Sequence, residues 1–219
     1  MESFWNEMEK NQFEQANTGQ ITIRSEEGCS IINIIQNSSD IKNIVEIGTW
    51  NGLGSTLCIL HGIQNKDVNF WSIECNNEKI ISAIESLRDY IDDRVRLLWG
   101  SVVDTNVIKT EEYLSNFTEL KTSKTLQTWF KADLNNCEVC PNILKDLPDN
   151  IDFLLLDGGE FTTLYEFECL RDRCSKYIAL DDTLIDKCRE VRKRLLEDGN
   201  WTEILSINNR NGFSIFKKK

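Results

Sequence analysis

From Ile41 onward, short apolar segments alternate with longer segments whose apolar residues recur at helical spacing. This alternation is typical of βαβ units, in which helices connect the strands of a parallel sheet and cover both of its faces. The pattern predicts seven strands, at residues 44–47, 70–74, 95–99, 151–156, 177–180, 201–207 and 212–216. The predicted fold class is therefore α/β, with a doubly wound, mostly parallel seven-stranded sheet.

Helical periodicity predicts helices at 55–62, 77–90, 163–174 and 184–197, between the strands. Residues 1–40 are predicted to form a helical N-terminal extension, with one helix over 3–16 and a second that begins at Ser25. The sequence shows no repeat and no linker, so the whole chain, 1–219, is predicted to be a single domain.

One connection is much longer than its neighbours. A crossover between parallel strands needs about a dozen residues, whereas the segment 105–149 before the fourth strand supplies far more. Its middle, 122–133, has the pattern of one or two added helices. This insertion is expected either to form a lid over a substrate or to cover an edge of the sheet.

Composition limits the classes of partner. The chain has 219 residues and a net charge of -11, and such a charge would repel a nucleic-acid backbone. No window approaches the roughly 20 apolar residues of a membrane span, and acidic residues near the N-terminus do not fit an export signal. We therefore expect a cytoplasmic protein without nucleic-acid or membrane partners; a homodimer is compatible with the sequence.

Eight cysteines raise the question of a structural metal site. A four-thiolate zinc site would have to combine Cys137 and Cys140 with Cys169 and Cys174, and the last two have a poor ligand spacing within a predicted helix. Reduced and mostly buried thiols are the favoured interpretation.

A glycine-rich turn connects the first strand to the helix that follows it. Glycine lets the backbone approach a ligand closely, and free N–H groups at a helix start bind anionic oxygens such as a carboxylate. The spacing Gly-x-x-x-Gly-x-Gly differs from the dinucleotide-binding spacing. Glu46, at the end of the strand, is expected to hold an ammonium group of an amino-acid-like ligand, directly or through water. The predicted cofactor-binding residues of this segment are Glu46, Gly48, Thr49, Asn51, Gly52, Gly54, Ser55 and Thr56.

Two further strand ends extend this pocket. Glu74 ends the second strand, where a carboxylate suits the two hydroxyls of a ribose. Ser101 follows the third strand, where it is expected to meet an adenine edge. Together with the glycine turn, these positions resemble class I S-adenosylmethionine (SAM)-dependent methyltransferases over about 25–216. The resemblance implies a Rossmann-like methyltransferase fold and SAM as the cofactor.

Three carboxylates are expected to converge after the fourth and fifth strands. Asp157 follows the fourth strand, and Asp181 and Asp182 follow the fifth. Clustered acids require raised pKa values or a bound cation, and a hard cation such as Mg²⁺ prefers oxygen ligands. The alternative is that these aspartates only cap turns and helices.

The same acids resemble those of the metal-dependent, macrocin-type sugar O-methyltransferases. The resemblance implies a hydroxyl acceptor on a sugar or other small molecule, such as a glycan intermediate. Many relatives carry Asp-Gly-x-His after the fourth strand, whereas this chain has Glu160 in place of the histidine. Asp157 and Glu160 are therefore the predicted catalytic residues; Asp157 is also predicted to contact the cofactor. Packing explains the single histidine, His61, better than catalysis does.

Four side chains are candidates for the lining of a substrate cleft: Trp129, Thr163, Tyr165 and Glu166. Packing of a helix face explains Trp129 and Tyr165 equally well. Two other functions remain open. One is a nucleotide-cofactor oxidoreductase on a similar fold, and the other is a protein that binds the cofactor without transferring a methyl group.

Overall fold

A computed structural model describes residues 21–219. The predicted helix at 3–16 lies outside this range. The described chain contains a seven-stranded sheet with strand order β3-β2-β1-β4-β5-β7-β6. The strands are β1 (Asn43–Ile47), β2 (Asn69–Glu74), β3 (Val95–Trp99), β4 (Ile151–Leu156), β5 (Cys174–Asp181), β6 (Trp201–Ile207) and β7 (Phe213–Lys218).

Strands β1 to β5 pair in parallel, and β7 is antiparallel to both β5 and β6. The prediction of a doubly wound, mostly parallel seven-stranded sheet is confirmed. Because β1 lies beside β4 and the chain leaves these two strands toward opposite edges, a crevice opens at their carboxyl ends.

Helices cover the two faces of the sheet. The helices are α1 (Glu26–Asn37), α2 (Ser55–Ile63), α3 (Asn77–Leu87), α4 (Thr105–Ile108), α5 (Glu111–Leu114), α6 (Lys124–Val139), α7 (Thr163–Leu170) and α8 (Asp186–Glu197). Ser25 is the N-cap of α1, and its side chain accepts a hydrogen bond from the Gly28 N–H. The N-terminal start predicted for this helix is therefore correct.

Some predicted boundaries were wrong. The predicted helix 163–174 ends at Leu170, a 3₁₀ turn spans Arg171–Arg173, and β5 begins at Cys174, which pairs with Ile151 of β4. Strand pairing thus ends the helical segment early. Gly212 has φ of 85° and belongs to a turn, so the last strand begins at Phe213.

The insertion is helical, as predicted, and carries α4, α5 and α6. Apolar side chains on both faces of the sheet form two cores, one of which includes Phe117, Phe161 and Phe167. The insertion therefore packs into the core on one face of the sheet. No helix in residues 21–219 is long and apolar enough to cross a membrane.

Candidate functional site

A cavity of about 790 Å³ lies at the carboxyl ends of the parallel strands, a size that suits a small-molecule ligand. One side is formed by the glycine turn and the ends of β2 and β3. The other side is formed by the loops after β4 and β5 and by α6. Predicted residues in the lining are Gly48, Asn51, Glu74, Ser101, Trp129, Asp157, Glu160, Glu166, Asp181 and Asp182.

The glycine turn approaches the β4 loop closely. Gly48 has φ of 103°, and a Cβ atom there would lie 2.1 Å from the carbonyl oxygen of Asp157. Only glycine fits this position. Gly52 also has a positive φ, but a Cβ there would collide with Leu87 of α3 at 2.5 Å. Gly52 thus serves packing behind the turn, and Gly54 is the N-cap of α2.

The buried side chain of Glu46 stabilises the glycine turn through hydrogen bonds. It is fully buried, and its carboxylate accepts hydrogen bonds from Ser55 Oγ at 2.6 Å, Thr56 Oγ1 at 2.7 Å and Ser72 Oγ at 2.5 Å. Burial raises its pKa to about 7, although these hydroxyls oppose the shift. Glu46 lies outside the lining formed by the described residues. Three hydroxyls already hold the carboxylate, so its observed role is inside the turn, and the contact with a ligand ammonium stays a prediction.

Ser55 and Thr56 share this internal role, and Thr49 belongs to the same polar cluster. The hydroxyls of Thr49 and Ser72 lie 2.6 Å apart. Thr49, Ser55 and Thr56 are buried and, within the described chain, lie outside the cavity lining. Direct contacts with the cofactor were predicted for these three residues, whereas their side chains lie behind the turn and stabilise it.

Glu74 connects the turn to the end of β2. Its Oε2 accepts the Trp50 N–H at 2.8 Å, and its Oε1 accepts the Asn76 N–H at 2.8 Å. Burial raises the pKa of this carboxyl, and the two backbone donors oppose the shift. The carboxylate lines the cavity with acceptor capacity remaining, as a ribose site requires.

Ser101 lies at the floor of the cavity after β3. Its hydroxyl accepts the Val103 N–H at 3.0 Å and donates to Cys137 Sγ at 3.6 Å. All eight cysteines are free. Cys169 and Cys174 donate to different backbone carbonyls, those of Val102 and Tyr177. Within the described range, the cysteines form no cluster suited to zinc.

The three predicted acids do converge. Ligand oxygens of Asp157, Asp181 and Asp182 all lie within 4.8 Å of one another. Burial raises the pKa of Asp157, and burial together with the charge of Asp157 raises that of Asp181 to about 8. Asp182 has φ of 59°, in the left-handed region that aspartate tolerates better than most residues. Without nearby positive charge, the three carboxylates would repel one another and destabilise the folded protein.

Two basic residues that the sequence analysis missed compensate the acids. Lys187, in the first turn of α8, is buried, and its Nζ lies 2.5 Å from Asp157 Oδ1 and 3.2 Å from Asp182 Oδ2. Burial lowers the pKa of Lys187, but the adjacent aspartates outweigh burial and hold it well above the ordinary value. Arg210 lies 3.4 Å from Asp181. A basic residue in the first turn of a helix opposes the helix dipole, which was the available sequence signal.

The loop after β4 completes the acidic side. Glu160 lines the cavity, and burial raises its pKa. Glu166 of α7 also lines the cavity; burial raises its pKa to about 8, and its Oε2 has no hydrogen-bond partner among the described residues. Thr163 and Tyr165 lie outside the lining that the described residues form.

The insertion contacts this loop directly. Asp133 of α6 accepts the Phe161 N–H at 3.2 Å, and the Tyr113 hydroxyl donates to the Phe161 carbonyl at 2.8 Å. Trp129, Asp133 and Asn136 of α6 line the cavity. The insertion is thus part of the cavity wall.

Comparison with known proteins identifies the fold. No family model matches the chain, and no curated protein is significantly similar to it. Among solved structures, the SAH (S-adenosylhomocysteine)-bound methyltransferase PaMTH1 of Podospora anserina is 17% identical, with a TM-score of 0.61 over 97% of this chain and 86% of that chain. An O-methyltransferase from Bacillus cereus in complex with SAH is 14% identical, with a TM-score of 0.63 over 97% and 91%.

A third similar structure is the O-methyltransferase TomG of Streptomyces achromogenes in complex with SAM. It is 12% identical, with a TM-score of 0.63 over 97% of this chain and 88% of that chain. The match extends over nearly the full length in each case. The chain therefore has the Rossmann-like fold of the SAM-binding methyltransferases.

Proposed function

We propose that the protein is a SAM-dependent methyltransferase that methylates a hydroxyl group of a small molecule. The observation that carries this proposal is one cavity with two chemically different sides. The glycine turn and Glu74 form the first side, and Glu160, Asp182 and Lys187 belong to the second. The first side suits the cofactor, and the second suits an acceptor that must lose a proton.

The residues on the first side fit SAM. The Gly48 backbone lines the cavity, and its lack of a side chain lets the β4 loop at Asp157 pack closely against the turn, on the side proposed for the methionine part of the cofactor. Glu74 is oriented by two backbone N–H groups and can accept hydrogen bonds from ribose hydroxyls. Ser101 and Gly100 line the region expected for adenine.

When bound, SAM would supply a methyl group attached to a positively charged sulfur. A lone pair of the acceptor oxygen would attack the methyl carbon, and the carbon–sulfur bond would break with its electrons left on sulfur. Glu160 is the residue proposed to take the acceptor's hydroxyl proton. Its raised pKa makes the carboxylate a stronger base than an exposed glutamate. Asp157 is less suited to this role, because Lys187 occupies one of its oxygens.

The three aspartates were predicted to bind Mg²⁺, and Lys187 decides whether they can. The three aspartates offer suitable oxygen ligands at suitable spacing. However, Lys187 Nζ already lies against two of them, Asp157 and Asp182. The residues as arranged do not fit a resident divalent cation, so no step of the proposed transfer depends on one.

A sugar or sugar-bearing acceptor is the favoured substrate class, on the basis of the macrocin-type resemblance. The acidic lining also suits a hydroxyl-rich molecule, since Asp133, Glu160 and Glu166 offer several hydrogen-bonding oxygens. The similar Bacillus cereus and Streptomyces achromogenes proteins are described as O-methyltransferases. The names of these structures support the reaction class.

Calorimetry and a transfer assay test the proposal. The protein should bind SAM and SAH and should bind NAD much more weakly, because the turn lacks the dinucleotide spacing. Transfer of a labelled methyl group should then be measured against a panel of sugars, glycosides and phenols. Preferential binding of NAD would favour the oxidoreductase alternative. Binding of SAM without transfer to any acceptor would favour the non-catalytic alternative.

A further inference from the structure

We infer that Lys187 is the built-in cation of this site, so that its ammonium group occupies the position where a metal-dependent enzyme would hold a divalent ion. The catalytic role of Lys187 rests on the proposed function, whereas the exclusion of metal ions from the three aspartates does not. It predicts a methyltransferase that works without metal and a triad of aspartates that is closed to metal ions.

The position of Nζ is the first argument. It lies 2.5 Å from Asp157 Oδ1 and 3.2 Å from Asp182 Oδ2, and both aspartates belong to the group of three whose ligand oxygens lie within 4.8 Å of one another. A magnesium ion would need oxygens at about 2.1 Å. An ion on the same Asp157 oxygen would lie close to a buried ammonium, and the two cations would repel each other strongly.

Charge balance is the second argument. Lys187 pairs with Asp157 and Asp182, whereas Arg210 lies 3.4 Å from Asp181 and 4.0 Å from the buried Glu27. A buried charge is tolerated only when it is paired and hydrogen-bonded. Lys187 therefore already gives Asp157 and Asp182 the positive charge that a metal ion would otherwise supply, and removing it would leave these two carboxylates without an ion-pair partner among the described residues.

The backbone fixes Lys187 in this place. The preceding loop is held against the β6–β7 turn, because Thr183 N donates to the Gly212 carbonyl at 3.1 Å and Leu184 N donates to the Asn211 carbonyl at 2.7 Å. Helix α8 begins at Asp186, directly after this loop. The backbone at the start of the Lys187 side chain is thus held in place, and the side chain is only 7% exposed.

The ammonium group retains capacity for an acceptor molecule. It has three N–H bonds, and two of them reach carboxylates. No third acceptor lies within hydrogen-bond distance of Nζ among residues 21–219. Since Lys187 lines the cavity, the remaining N–H can donate to the hydroxyl oxygen of the acceptor. Lys187 keeps its proton, the hydroxyl proton passes to Glu160, and the positive charge stabilises the oxygen as it becomes negative.

Metal binding tests the structural part without any substrate. Chelator-treated protein should be titrated with Mn²⁺, which prefers the same oxygen ligands as Mg²⁺, and binding measured by calorimetry and by the Mn²⁺ paramagnetic resonance signal. Wild type should bind Mn²⁺ only weakly, and Lys187→Ala should bind it at least roughly tenfold more tightly. Asp182→Asn added to Lys187→Ala should remove the gain.

Two control variants define the result. Lys176→Ala removes a lysine that also contacts two carboxylates, Asp40 and Asp152, and it should gain no Mn²⁺ binding. Lys187→Arg keeps the positive charge and should remain closed to Mn²⁺. If Lys187→Ala does not fold, the Mn²⁺ titration of wild type still tests whether the three aspartates exclude metal ions. Tight Mn²⁺ binding by wild type, or a folded Lys187→Ala without any gain, overturns the inference.

Activity tests the catalytic part. With an acceptor that wild type methylates, a chelator should leave the rate unchanged, and Lys187→Met should lower kcat while the affinity for SAM changes little. A strict requirement of wild type for Mg²⁺ overturns the inference. A protein that methylates nothing contradicts the proposed function instead, and the Mn²⁺ titration remains a separate result.

Discussion

The backbone N–H of Trp50 donates to Oε2 of Glu74 over 2.8 Å, so that one carboxylate both ends β2 and holds the glycine turn. The other oxygen of Glu74 accepts the Asn76 N–H. The side chain that is proposed to bind the ribose therefore also fixes the loop around it.

Replacement of Glu74 should weaken cofactor binding. Glu74→Ala removes the proposed ribose acceptor and loosens the turn at Trp50, and we expect SAM affinity to fall by about ten- to a hundredfold. Calorimetry measures this change. Glu78→Ala, at an exposed position in the first turn of α3, is the control and should leave affinity unaltered. Unchanged SAM binding by folded Glu74→Ala would contradict the site assignment.

Gly48 should not tolerate a side chain. Gly48→Ala places a Cβ atom against the Asp157 carbonyl oxygen in a left-handed backbone conformation. The expected loss in the free energy of unfolding is about 3 kcal/mol or more. Gly199→Ala is the matched control, because a Cβ there meets no described atom within 4 Å; it should change stability by less than about 0.5 kcal/mol. Urea denaturation compares the variants, and equal losses would refute the close approach.

Glu46 should make stability depend on pH. Burial raises its pKa in the folded protein to about 7 from an ordinary value of 4.5. Between these values the folded state retains a proton that the unfolded state releases, so this carboxyl contributes stability below pH 4.5 that is lost as pH rises through 7.

The test is Glu46→Gln, which cannot titrate. Relative to wild type, its free energy of unfolding should rise between pH 4.5 and 7 by up to roughly 3 kcal/mol. Denaturation at several pH values measures the difference, and Glu78→Gln controls for the loss of one acidic side chain. A difference that does not vary with pH would show that the carboxyl of Glu46 is not perturbed by burial.

Tyr113 should stabilise the contact between the insertion and the β4 loop. Its hydroxyl donates to the Phe161 carbonyl and accepts the Tyr165 N–H at 3.2 Å. Tyr113→Phe leaves both backbone groups unpaired and should cost about 1–3 kcal/mol. Tyr177→Phe is the control, since Tyr177 is similarly buried and its hydroxyl has no partner among the described residues. Equal thermal stability of the two variants would show that the hydroxyl of Tyr113 is not needed.

Most of the sheet was predictable from the sequence, because buried strands leave continuous apolar segments such as 151–156. The convergence of Asp157 with Asp181 and Asp182 was also predictable, since carboxyl ends of neighbouring parallel strands share one edge. Both the strands and the meeting of the three aspartates depend only on where residues lie along the backbone, which the sequence pattern indicates.

The direction of individual side chains was not predictable in the same way. Glu46 turns inward because Ser72 is its register partner on β2 and offers a hydroxyl, and register is known only once strands are paired. Lys187 was missed because it lies on α8, 30 residues after Asp157, and reaches that aspartate only through space. The acids follow from their places at the strand ends, whereas no spacing in the sequence indicates the cation that pairs with them.

The pairing of β1 with β4 has a consequence for how the protein folds. Asn43 N donates to Asp152 Oδ2 across a separation of 109 residues, and the cavity lies between the loops that follow these two strands. Contacts between distant parts of a chain form slowly, because a long loop must close before any contact compensates its entropy. We expect the β1–β3 segment to acquire its helices and strands early and the binding cavity to form only in the last, slow stage of folding.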